Sequence, residues 1–86
     1  MRLDKYLKLT RLIKRRGVAK VLIDEESITV NNKSVKPSYD VKINDLITMK
    51  LGQRTLEVEV ISLPENNITK ETAKELFRIK KEKIDK

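Results

Sequence analysis

The sequence predicts a small α+β domain: two short N-terminal helices, a short antiparallel sheet, then a C-terminal strand and helix. Three observations carry this. Apolar residues recur at helical spacing in two stretches before residue 24. The run "TLEVEV" alternates strictly between apolar and polar. Between two short β-rich runs stands Asn31-Asn32, a pair suited to a tight turn. Eighty-six residues make one domain with a modest core.

In the first helix Leu3, Tyr6, Leu7 and Thr10 lie at i, i+3, i+4 and i+7 and share a face, with Lys5 and Lys8 opposite. Continued unbroken, that helix would set Leu12 among the lysines, so its end is expected near Thr10 or Arg11. The second helix is expected to begin at Gly17, acting as N-cap, and to end before Ser27. Its apolar stripe is Val18, Ala19, Leu22 and Ile23. "ITV" then forms a strand, Asn31-Asn32 turns it, and a short return strand runs from Ser34 until Pro37 stops it. A strand is expected at Leu46–Leu51 and a turn at "GQR". The clearest strand follows, with Leu56, Val58 and Val60 on one face and Thr55, Glu57 and Glu59 on the other. "PENN" reads as a loop. Thr69, rather than Thr72, is expected to cap a final helix carrying Ala73, Leu76 and Phe77 on one side. Thr72 and Glu75 have capping-box spacing. Lys80 falls within that apolar stripe, so the stripe is short.

The charge is unevenly placed. Residues 1–20 hold eight Lys or Arg and one acid, Asp4, so the entire net charge of +7 lies there; residues 21–86 hold 12 of each sign. A patch this concentrated points to a polyanion, most often nucleic acid. Lys14, Arg15 and Arg16 precede the second helix, and Asp24, Glu25 and Glu26 follow it. Both triplets oppose the helix dipole. A bound anion at the N-terminal end would compensate the first, since free amides at a helix start favour phosphate and arginine adds bidentate contacts. The three aromatics, Tyr6, Tyr39 and Phe77, are too few for a base-stacking platform. The second helix is short and largely aliphatic where a DNA-reading helix would carry polar side chains. Shape and phosphate recognition of structured RNA fits best, with DNA the alternative that charge alone leaves open.

Other chemistries find little material. With no Cys there are no disulfides, thiolate zinc sites or thiol nucleophiles, and with no His the usual general base is missing. Neither a metal nor a cofactor is expected. Asp24, Glu25 and Glu26 are a helix end rather than a paired acid/base set, so catalysis is not expected. No stretch is apolar enough for a membrane span and no signal peptide is visible, which points to the cytoplasm. A membrane-surface role is disfavoured too, because the first helix needs its apolar stripe for the core.

Residues 2–50, with "RLDKYL", then "RLIKRR" between two helices, then "ITVNNK", resemble the S-four (S4) RNA-binding domain, which contains the αL motif. The whole-chain layout is similar to small stand-alone bacterial proteins of the heat-shock-fifteen type, and especially to the RqcP-type ribosome quality-control proteins. The resemblance implies two helices packed on a short antiparallel sheet, with residues 51–86 as a family-specific strand and C-terminal helix. It implies binding to large-subunit rRNA and peptidyl-tRNA on obstructed large subunits, alongside an RqcH-type factor that tails stalled chains. A role in ribosome assembly or subunit recycling is the alternative. It places Arg2, Asp4 and Arg16 at the RNA contact. Charge and helical geometry add Lys5, Lys8, Arg11, Lys14, Arg15 and Lys20. For Asp4 three roles stay open: orienting Arg2 or a nearby lysine, touching RNA, or simply favouring the helix dipole. Many relatives carry a Ser or Thr cap before the second helix; here Lys14-Arg15 stand there. A monomer is expected off the ribosome, although an unpaired sheet edge leaves dimerisation open.

Overall fold

The computed structural model describes residues 1–64 and 69–84. Helices α1 (Leu3–Leu9) and α2 (Arg16–Asp24) are followed by strands β1 (Ile28–Val30), β2 (Leu46–Leu51) and β3 (Arg54–Val60). A single turn, α3 (Lys70–Ala73), leads into β4 (Phe77–Ile84). The strands form one antiparallel sheet in the order β1-β2-β3-β4.

Register explains the core. Ile28 pairs with Met49, which pairs with Leu56; Val30 pairs with Ile47, which pairs with Val58. Two apolar rows thus cross the sheet on one face. They join Leu3, Tyr6 and Leu7 of α1 and Ala19 and Ile23 of α2 in one buried cluster. At about 25 cal/mol per Å² of apolar area, a core of this kind is the main source of stability.

Helix α1 ends where the lysine clash requires. Thr10 is its C-cap and Arg11 adopts φ 63°, the left-handed position usually given to Gly. The β2 strand, the turn at Gly52 (φ 63°) and the buried face of β3 match the sequence pattern. Asn31 and Asn32 both take positive φ, as a tight turn needs.

Four expectations fail. Helix α2 starts at Arg16 with Arg15 as N-cap, so Gly17 is inside the first turn. Val18, assigned to the core stripe, is 47% exposed. The return strand from Ser34 is reduced to one bridge, Val30 to Lys33. Its polar groups go elsewhere: the carbonyls of Pro37 and Tyr39 accept from the amides of Asp4 and Leu3, so this segment fastens the start of α1. Asn31 is claimed by β2, its Oδ1 accepting from Leu46 N at 3.0 Å.

The fourth is the final helix. Thr69 does cap a helix, in a reciprocal capping box with Thr72, but that helix lasts four residues. The charged tail is strand β4, paired along β3 from Val60↔Phe77 to Arg54↔Ile84. An open β3 edge offers a full ladder of hydrogen bonds, whereas a helix here would bury only a stripe interrupted by Lys80. Of "PENN", residues 65–67 lie outside the described residues.

Candidate nucleic-acid interface

The first residues of α1 and α2 meet at one carboxylate. Asp4, in the first turn of α1, has no exposed side-chain surface. Arg2, the N-cap of α1, forks onto it: Nε donates to Oδ1 at 3.1 Å and Nη2 to Oδ2 at 3.2 Å. Lys5 N–H donates to Oδ1 at 2.7 Å. From the other helix, Arg16 Nε lies 3.4 Å from Oδ2. That separation makes an ion pair but not a hydrogen bond, and this buried Nε has no hydrogen-bond partner among the described residues. Arg2 and Arg16 remain 48% and 40% exposed. One buried anion therefore steadies two guanidinium groups that keep much of their surface in solvent.

The electrostatics follow. Burial alone would push the Asp4 carboxyl up, but Arg2, Arg16 and the Lys5 amide outweigh it and hold the group below the usual carboxylate value. It is an anion at neutral pH. The cluster keeps a net positive charge, because one carboxylate cannot neutralise two arginines.

Lys5, Lys8, Arg11, Lys14, Arg15 and Lys20 are all exposed, and among the described residues none has an acid within ion-pair distance. The start of α2 is bare. Arg15 makes no side-chain cap bond, the first turn has no acid, and a Cβ at Gly17 would meet nothing within 4 Å. These are the conditions under which helix N-terminal amides are available to phosphate.

Of the nine residues singled out from the sequence, the structure brings Arg2, Asp4 and Arg16 into direct contact; the other six are exposed cations on or beside the two helices. Buried Asp4 offers no side-chain surface for RNA; it orients Arg2, and Arg16 rather than a lysine, and its place in the first turn of α1 also suits the helix dipole. The fixing of α1 by Tyr6 was not foreseen. Its buried hydroxyl donates to the Leu76 carbonyl at 2.7 Å, and burial pushes that hydroxyl's ionisation far above its ordinary range. No local signal marks a partner 70 residues away.

A model of the S4 domain matches residues 1–47. The chain belongs to the S4 domain family. In Bacillus subtilis, the relative named RQC P-site tRNA stabilizing factor is 42% identical over 84 residues, 98% of each chain. The Streptococcus pneumoniae protein of that name is 43% identical over 79 residues, covering 92% of this chain and 89% of its own. Among solved structures, heat shock protein 15 of Vibrio cholerae, described as trimeric, matches with a TM-score of 0.85 at 26% identity, covering 92% of this chain and 80% of that one. The S4 match spans Arg2, Asp4 and Arg16 and stops within β2. Among the described residues no helix of this S4 protein is long and apolar enough to cross a membrane.

Proposed function

We propose that this chain is a non-enzymatic, cytoplasmic RNA-binding factor of ribosome quality control. It binds obstructed large subunits through large-subunit rRNA and peptidyl-tRNA, and supports tailing of the stalled chain by an RqcH-type factor. The observation that carries the reading is the Arg2–Asp4–Arg16 cluster, two half-exposed guanidinium groups held on one buried carboxylate. Pre-positioned arginines lose less side-chain freedom on meeting a phosphate, and their planar fork matches its oxygens. Arg2 and Arg16 touch RNA; Asp4 positions them. Lys5, Lys8, Arg11, Lys14, Arg15 and Lys20 supply the longer-range attraction. Arg11 adds a second hint. It occupies a left-handed helix end where Gly would cost less, which fits a side chain kept for its charge. Residues 2–50 act as the RNA-binding core, and residues 51–86 buttress it. The names of the relatives, which refer to a P-site tRNA, support the quality-control role over assembly.

Ultraviolet crosslinking in cells, with sequencing of the attached RNA, tests this. Large-subunit rRNA recovered together with tRNA is the expected result. Small-subunit or precursor rRNA alone would keep the RNA-binding surface and move the function to assembly. Absence of crosslinked RNA would end the reading.

A further inference from the structure

The outward face of α2 is apolar and uncovered. Val18 and Val21 are 47% and 53% exposed, and with Leu22, Gly17 and Arg15 they line an open groove of about 480 Å³. The RNA reading does not use these aliphatic side chains, nor does it use the acids at the far end of the helix.

We propose that this face pairs with its equivalent on a second copy of the chain, the two α2 helices packing antiparallel across a two-fold axis. The argument is self-complementarity, the property a two-fold interface requires. Arg15 lines one end of the groove, and Glu25, the C-cap residue of α2, lies about one helical turn beyond Val21 at the other. Val18, Val21 and Glu25 fall at i, i+3 and i+7, so the acid continues the apolar stripe. At 1.5 Å per residue, the two charges lie roughly 15 Å apart along the axis, with the valines between them. Turning a second helix end for end sets Arg15 against Glu25 of the other copy at both ends, and Val18 against Val21 and Leu22. A parallel arrangement would oppose like charges. Gly17 adds no side chain that would hold the helices apart, since a Cβ there would meet open space. Glu25, placed against the dipole of its own helix, gains a cation from the other copy. The patch is small beside the roughly 1,200 Å² that stable interfaces bury, so the dimer is weak and concentration-dependent.

Sedimentation equilibrium of the RNA-free protein at low salt, up to millimolar concentration, tests the proposal. A monomer–dimer equilibrium is expected. Arg15→Glu and Glu25→Lys should each weaken it by roughly tenfold, because two attractive pairs become repulsive. The two single variants mixed, or both changes in one chain, should restore pairing. Val21→Asp should abolish it with the far-UV circular dichroism unchanged. A monomer throughout, a trimer, or a dimer indifferent to the charge exchanges would overturn the proposal.

Discussion

The helix pair and the β3–β4 ribbon are both rich in cations, and they treat them in opposite ways. In the ribbon each acid stands across the ladder from a base or bonds to one. Arg54 Nε lies 2.6 Å from Glu82 and Lys80 Nζ 3.6 Å from Glu59, while Lys81 and Arg78 sit in register with Glu57 and Glu59. In the helix pair the only acid before residue 24 is buried, shared by two arginines and closed to solvent. Similar side chains thus give a locally screened surface in one place and an unneutralised one in the other. Whole-chain charge would not distinguish them. On the ribbon, cations also blunt the open β4 edge against pairing with other strands.

The largest expected effect is that of salt. The six helix-pair cations without an acid partner among the described residues, engaging about six phosphates, would lose on the order of 10³ in RNA affinity between 50 and 200 mM salt. Lys5→Ala or Lys8→Ala should lower the log–log slope by about one, and Lys81→Ala should leave it unchanged. A slope that responds equally to both regions would break the comparison. Next comes charge reversal. Arg16→Glu or Arg2→Glu should cut cosedimentation with large subunits by roughly 100-fold with circular dichroism unchanged, whereas Lys81→Glu should cost about twofold.

The third test concerns stability. Asp4→Asn should cost about 2 kcal/mol in urea unfolding, because it removes a buried charge from its partners; Glu82→Gln, an exposed pair, should cost under about 1 kcal/mol. The sign against pH follows from the lowered Asp4 value. Its stabilisation is complete above its unfolded value of about 3.9 and is lost as pH falls through the lower folded value. Asp4→Asn should flatten that acid limb of the urea midpoint, and an unchanged limb would place the linkage elsewhere. Tyr6→Phe should cost about 1 kcal/mol in the same assay, since it removes one buried hydrogen bond from a Leu76 carbonyl that still accepts from the amides of Ile61 and Ser62.

What the sequence discloses is what one local period determines. The end of α1 follows from Leu12, and β2 and β3 from alternation, with the observed boundaries at Leu46, Leu51 and Val60. The β4 strand was hidden by a bulge. Phe77 and Ile79 alternate, then Lys80 is inserted without a β3 partner, and Glu82 and Ile84 resume the face one residue late. That slip breaks the two-residue period and mimics a helical stripe. The use of residues 37–41 to fasten α1, and of Tyr6 to reach Leu76, depends on distant partners that no local pattern shows. For the site, the S4 resemblance pointed to Arg2, Asp4 and Arg16, and charge placement to the six other cations. The burial of Asp4 was not visible, because first-turn acids are ordinarily exposed.

The Tyr6–Leu76 hydrogen bond also bears on how the protein is made. Its partners are separated by 70 residues, so at roughly 5–20 residues per second the donor is synthesised about 4–14 s before its acceptor. Throughout that interval the basic quarter of the nascent chain exists without the tail that secures its first helix. Closure of the fold around α1 therefore waits for the end of the chain, from Leu76 onward, and a ribosome that pauses late in this message lengthens the time the first helix spends unsecured.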